Sequence, residues 1–406
     1  MNPKVSLFLL IMLVGFPQIS ETIYTPALPN ITKALHTSAS LAEITLTLYF
    51  LGFAVGVFLW GAFSDYYGRR SAMLIGLSCY ILTSYLCAQS QTIEALFIWR
   101  FFQAFGASVG SVITQIMIRD LYVGTKRAKI FSIIAGSLAF SPALGPVIGG
   151  FMSGYFDWRA NFWVLIIMGL LLALFSFFSL PETAPKKITP PSLKSTAFLF
   201  CKMMKSTLLW GHILLISATN GILFGFYQEA PFIFTEKLHM QVNHYGFFGL
   251  LIATATLLAA RFSFSYAAQW GPYRLIKSGA AITFIGGVFY TFLVFLDLFD
   301  LSFFSMILIT IALFLIFFGI GMIIPNSLSQ ALLAYQDQVG SASSIFGGSY
   351  YLFIALFTWL MSVFHNGSAF PLPLFITALG IILILASQIV FYFSLQNKQP
   401  LTTTTD

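Results

Sequence analysis

The chain has 406 residues, of which 58% are apolar, 17% aromatic and only 8% charged, with a net charge of +7. A soluble domain carries about 25% charged residues, so this composition excludes a water-soluble fold with an oversized core. The positive balance is spread over breaks between apolar runs rather than gathered into one patch, which points to membrane orientation and away from nucleic acid.

A spanning helix needs about 20 apolar residues. Twelve stretches meet that need. In the first half they lie at about 5–25, 42–63, 72–89, 95–117, 129–154 and 160–180. In the second half they lie at about 208–232, 246–268, 276–296, 302–326, 341–364 and 370–394. The first run has Lys4 ahead of it like a secretory signal, but it continues to Pro26 with no small-residue cleavage site and is read as a span. With the N-terminus inside, 15 of the 20 Lys and Arg fall on the inner side, against Lys33, Arg159 and Lys237 outside and Arg100 and Arg261 within spans. That bias predicts cytoplasmic termini and an even number of spans.

Taken in chain order, span one carries Glu21, an acid inside the apolar run, followed by Tyr24-Thr-Pro-Ala-Leu-Pro29. A desolvated carboxyl of this kind can load and release protons; the plainer reading is a glutamate near the outer interface. After span two comes Gly61-Ala-Phe-Ser-Asp-Tyr-Tyr-Gly-Arg-Arg70. A generic positive-inside turn accounts for Arg69 and Arg70 but not for Gly61, Asp65 and Gly68. Gly61 admits a neighbouring helix, Asp65 suits the positive end of another helix, and Gly68 permits a turn with positive φ. Span four holds Arg100, Gln103, Gly106 and Gly110 and ends in Arg119-Asp120-Leu121. Arg100 needs a partner or a watery cavity, unless it snorkels to the outer interface.

Span five contains Gly136, Pro142, Gly145, Pro146, Gly149 and Gly150. Gly145 and Gly149 form a small face for close helix contact, and the two prolines remove amide donors, so this span reads as a packed hinge. The stretch Glu182 to Ser206 then supplies Pro185, Pro190, Pro191 and five lysines. It divides the chain into 1–181, a linker at 182–206, a second unit at 207–396 and a tail at 397–406. Ser192 to Ser206 mixes lysines with Leu and Phe, which suits either a surface helix on the inner leaflet or a solvated tether. Beyond the linker, Glu229 stands near the outer end of span seven, either lining a cavity for cationic ligands or facing water. Tyr24, Gln115, Asn220, Tyr227 and Tyr350 are the remaining cavity candidates, set against simple helix packing. The three cysteines lack metal or disulfide spacing, and the five histidines show no ligand spacing: His212 opens span seven and the others fall in outer loops. No metal or cofactor is expected.

These segments resemble the major facilitator superfamily. Gly61, Asp65, Gly68, Arg69 and Arg70 match its motif A, G-x-L-x-D-R-x-G-R-R/K, which departs here at Phe63 and Tyr66. Arg100 to Gly106 is similar to motif B, and span five to motif C with Ser141 in place of one glycine. Tyr24 to Pro29, Pro325-Asn326 and Gly340 to Gly347 resemble the Bcr/CflA drug-efflux group, as does the Arg119-Asp-Leu121 run. A second copy of motif A near Arg261 to Arg274 keeps Gly271 but has Ala268 where the acid belongs.

The resemblance implies an all-α fold of twelve transmembrane helices in two six-helix bundles, sited in a bacterial inner membrane and working as a monomer. It implies export of amphipathic drugs or related small molecules in exchange for protons, with Glu21 and Arg100 coupling the proton and the Gly61 to Arg70 turn acting as a latch between states. In the Bcr/CflA pattern the acid stands two residues before the tyrosine, at Thr22 here, so Glu21 is displaced by one position, about 100° around the helix. A dedicated exporter of one metabolite is the rival reading, an importer less so because of motif C. A membrane-embedded enzyme lacks a nucleophile, base or paired-acid set at one depth, and a non-transporting sensor lacks an attached soluble domain.

Overall fold

The computed structural model describes residues 5–138, 141–184, 193–300 and 302–396. The first half runs α1 (Leu7–Thr22), a 3₁₀ turn at Thr25–Ala27, α2 (Leu28–Ala34), α3 (Ala39–Tyr67), α4 (Arg69–Ala88), α5 (Ile93–Leu121), α6 (Gly124–Leu138), α7 (Ser141–Tyr155) and α8 (Arg159–Ser179). The second runs α9 (Leu193–Met204), α10 (Thr207–Pro231), a wider helical turn at Phe232–Lys237, α11 (Val242–Tyr245), α12 (Phe248–Phe295), α13 (Phe303–Ala331), α14 (Val339–Phe364) and α15 (Pro371–Gln396).

Among the described residues, ten helices are long and apolar enough to cross a membrane. One of these contains α12, which is two spans meeting at Gly271, where φ is +69° and Pro272 follows. With α12 counted as two, the described residues carry eleven of the expected crossings and α6 and α7 flank the fifth, all in helices because a backbone in lipid must satisfy its own hydrogen bonds. Several helices start where a side chain accepts the first free amide: Ser38 for Leu41, Thr92 for Ala95, Ser206 for Leu209 and Ser302 for Ser305.

Within the first half α5 packs on α3, α4 and α1, while α7 packs on α1. Within the second, α12 packs on α13 and α15, and α10 on α14 and α15. The halves meet chiefly along α3 and α14 and where α7 faces α11 and α12. Large apolar side chains such as Leu82, Phe175, Phe264, Phe303 and Tyr392 remain exposed on the outer faces, as a lipid-facing surface requires. The segment read as either a surface helix or a solvated tether contains a helix, α9; its Leu199 and Met203 are buried with Leu209, Ile213 and Phe346 of the second half, while Phe198 stays exposed. Gly136 and Pro142 fall on α6 and α7, but their surroundings, like the tail from 397, lie outside the described residues.

Candidate functional site: a buried acid, a caged arginine and two charged ends

Glu21 sits near the end of α1, 1% exposed, with its Oε1 lacking any hydrogen-bond partner. Its charge acts on Arg100 and on the phenols of Tyr49 in the first half and Tyr350 and Tyr351 in the second. The reading of Glu21 as an interfacial, water-facing acid is therefore overturned. Thr22, where the efflux pattern has its acid, turns elsewhere. Its Oγ1 donates to Gln18 O at 3.0 Å and lies against α7, where a Cβ on Gly145 would come within 1.9 Å of it. One helical position separates a side chain packed on α7 from one aimed at the junction of the halves.

Arg100 is wholly buried, so it does not snorkel. Its guanidinium lies 4.0 Å from the ring centre of Tyr24 and 4.2 Å from that of Tyr49. Such contacts each contribute about 2 kcal/mol when desolvated. Nη1 donates to Gln103 Oε1 at 2.5 Å, and Gln103 Nε2 donates in turn to Ser84 Oγ at 2.7 Å. Gln103 therefore orients the arginine through a relay anchored on α4. Nε and Nη2 of Arg100 are buried without partners, so the cation and Glu21 each keep unmet polar capacity in the same region.

Gly106 and Gly110 let α5 press against its neighbours. A Cβ on Gly106 would meet the Tyr80 amide nitrogen at 2.7 Å, and one on Gly110 the Leu13 carbonyl at 2.3 Å. Span five repeats the device. A Cβ on Gly149 would fall 1.6 Å from Ile23 O, and one on Gly150 3.0 Å from Val242 O in the second half. Gly246 answers from the other side, where a Cβ would lie 2.7 Å from Pro146 O. The face of α7 thus touches α1 with one edge and the second half with the other.

The Gly61 to Arg70 turn joins α3 to α4. Gly61 faces Ser344 of α14, where a Cβ would lie 3.5 Å from its Oγ, an ordinary contact. Asp65 pairs with Arg69, and Arg69 Nε also reaches Asp120 Oδ2 at 3.4 Å, while its Nη1 donates to Ser64 Oγ at 2.7 Å. Gly68 has φ +95°, and its position abuts Glu182. The Glu182 carboxylate accepts from the amides of Arg69 at 2.8 Å and Arg70 at 3.2 Å, closing the positive N-terminus of α4. Arg70 donates to Phe177 O at 2.5 Å. The acid that caps a helix here is Glu182, whereas Asp65 serves its own arginine.

At the opposite end of the bundle three segments converge. α3 begins there with Glu43, α10 ends there with Glu229, and His365 follows α14. His365 Nδ1 is 2.8 Å from Glu229 Oε2 and 3.4 Å from Glu43 Oε1. Gln228 Nε2 donates to Glu43 Oε2 and to Thr358 O, each at 3.0 Å. Both carboxylates are 0% exposed, which corrects the reading of Glu229 as solvated. Among the described residues these three alone form a His, Cys, Asp and Glu group tight enough to share a cation, a proton included, with donor atoms within 4.8 Å of one another. Lys33 pairs with Glu236 at 3.1 Å across the same end, exposed to solvent.

Of the remaining cavity candidates, Tyr24 lies beneath Arg100 and Tyr227 is wholly buried in the second half. Gln115 and Tyr350 are half-buried, and Asn220 donates to Ile216 O at 2.8 Å. Sequence reading missed Glu43, His365 and Glu182. Glu43 carried a usable signal, being an acid inside an apolar run. His365 and Glu182 carried none, since each looks like an ordinary loop residue until its partners are known.

Residues 7–358 match the Major Facilitator Superfamily. The chain belongs to that family. Two bundles of six helices, the charged turn and the glycine-proline face of span five agree with it. An uncharacterized transporter of Rickettsia bellii (strain RML369-C) is 34% identical over 97% of both chains. A bicyclomycin resistance protein homolog of Haemophilus influenzae (strain ATCC 51907 / DSM 11121 / KW20 / Rd) is 27% identical over 97% of this chain and 98% of its own. The similarity to a named resistance protein agrees with membership of the Bcr/CflA-like efflux group within the superfamily. The solved structure of a D-xylose-proton symporter superposes with TM-score 0.77 at 15% identity, over 95% of this chain and 97% of the other, which shows the fold alone. As a facilitator this chain is a transport protein and not an enzyme.

Proposed function

We propose that this transporter is a proton-coupled antiporter that moves amphipathic compounds out of a bacterial cytoplasm by alternating access. The observation that carries the reading is Glu21, a buried carboxyl with a free oxygen at the junction of the halves, within electrostatic reach of Arg100. Protonation neutralises it; deprotonation leaves an anion beside the caged guanidinium, and the two states favour different arrangements of the halves. The units 1–181 and 207–396 rock about the α7 face, with 182–206 as their tether, and a single chain suffices. The protein sits in the inner membrane with both termini in the cytoplasm, so the Gly61 to Arg70 turn faces inside and the Glu43 end faces out. Polar contacts between the halves at that outer end, and charge pairs internal to the first half at the turn, suit an inward-facing state. The name of the Haemophilus relative and the motif C face support export.

The test is transport in proteoliposomes with an imposed pH gradient. The wild-type protein moves several unrelated amphipathic compounds against their gradients; movement of one metabolite alone defeats the broad-substrate reading. Glu21→Gln binds and exchanges substrate but loses gradient-driven accumulation. Unchanged uphill transport by that variant removes Glu21 from the coupling step.

A further inference from the structure

The cluster of Glu43, Glu229 and His365 has no part in the coupling steps above, yet it buries two carboxylates from opposite halves beside one imidazole. Oxygens without a hydrogen bond crowd it: Glu43 Oε1, Glu229 Oε1 and Gln228 Oε1. The nitrogen donors described there are His365 Nδ1 and Gln228 Nε2, the latter already shared between Glu43 and Thr358, and the Glu43 and Glu229 carboxyls lie within hydrogen-bond reach of each other. Among the described residues, the other groups found against the cluster add no positive charge. They are the Phe232 ring beside His365 and the Tyr290 phenol of α12, on which the Glu229 charge acts. With a neutral imidazole and both carboxyls ionised, two negative charges lie buried together without compensation, an arrangement that strongly opposes the contact. Positive charge restores balance, and a hydrogen-bonded spacing of 2.8 Å from Nδ1 to Glu229 Oε2 suits a proton on the ring.

We propose that Glu43, Glu229 and His365 form a second proton-binding site that fastens the outer ends of the two halves. A proton on His365 Nδ1 is shared between Glu229 and Glu43; its departure leaves two carboxylates facing each other across the interface, and that end opens. The proposal rests on the alternating-access reading above. Because the site lies at the outer end, its proton comes from the outer solution and returns to it. The site therefore sets the external pH at which the carrier resets, and adds nothing to the protons moved per cycle.

The direction of the pH dependence follows from His365, which lies just beyond α14. Burial opposes its charge, but the hydrogen bonds and charges of Glu229 and Glu43 outweigh that and push the imidazole up to about 10 while the halves are joined. Released into water it returns to about 6.5. A group whose affinity for protons is raised in the closed form stabilises that form. The effect is fully present below about pH 6.5 and is lost as pH rises to about 10.

The experiment measures the outer-end distance. Spin labels are placed at Ala34→Cys and Phe303→Cys, both exposed, in the full chain with Cys79, Cys87 and Cys201 changed to Ser, in lipid nanodiscs. The short distance dominates at low pH and gives way to a longer one across that window. His365→Gln, which keeps a donor but not the charge, shows the longer distance throughout. The Glu43→Gln/Glu229→Gln pair, with nothing left to repel, stays short at every pH. A parent whose distances ignore pH overturns the proposal, as does a double variant that opens like the parent. Opening at low pH on adding EDTA, or closure at high pH on adding zinc, assigns the site to a metal and equally overturns it. The Glu21→Gln transport assay reads the antiport reading separately: its failure leaves this distance response standing, and a flat response leaves export by the parent standing.

Discussion

At the scale of single residues, the buried charges are held by specific polar and aromatic neighbours rather than left bare. Arg100 is held by two rings and a glutamine because a guanidinium buried inside the helix bundle is stabilised by diffuse negative surface as well as by a counter-ion. Gly68 combines a positive φ with a carboxylate against its Cα, so no other residue fits without strain. Gly68→Ala is expected to cost about 1–2 kcal/mol from the left-handed backbone alone and more from the clash with Glu182. Its thermal unfolding in detergent falls below that of the parent, and an unchanged midpoint counts against this account. The sequence displayed Asp65, Gly68 and the arginines plainly because they stand within one short turn. Glu182 was illegible, since its bonds to Arg69 span 113 residues.

At the scale of elements, the helices follow directly from apolar length, and their ends from Ser, Thr, Gly and Pro at the breaks. Gly271 shows how far that logic extends. The second copy of the charged turn has lost its acid, yet it keeps the positive φ that lets α12 double back. Glycine is needed there for the turn, whatever becomes of the latch. Span five is where packing dominates. Gly149 leaves no room for a side chain against the Ile23 carbonyl, and backbone on both sides limits relief. Gly149→Val is expected to destabilise the first half by about 1–3 kcal/mol and to stop transport. Gly340→Ala, whose Cβ would meet nothing within 4 Å, is expected to be tolerated. Size-exclusion profiles after heating compare the two; equal survival refutes the close-packing role.

At the scale of the whole molecule, the lysine and arginine bias makes a prediction about sidedness that membrane-impermeant thiol reagents check. A cysteine at Tyr66, exposed beside the charged turn, reacts in inside-out vesicles, and one at Gln91 reacts only in right-side-out cells. The reverse pattern inverts the assignment of inner and outer ends. The sequence by itself determined the membrane-spanning, all-helical fold and the family, because hydropathy, turn chemistry and charge bias are written in neighbouring residues. It also nominated Glu21 and Arg100, as ionisable groups inside apolar runs announce themselves. Only the tertiary structure decided what those groups meet. It placed Glu21 within electrostatic reach of residues in both halves and Thr22 against α7, a matter of helix rotation that spacing alone left open. It brought Glu43, Glu229 and His365 together from three segments, with 136 residues between the last two. Partners so distant are chosen by how the helices pack, and packing is a property of the folded chain.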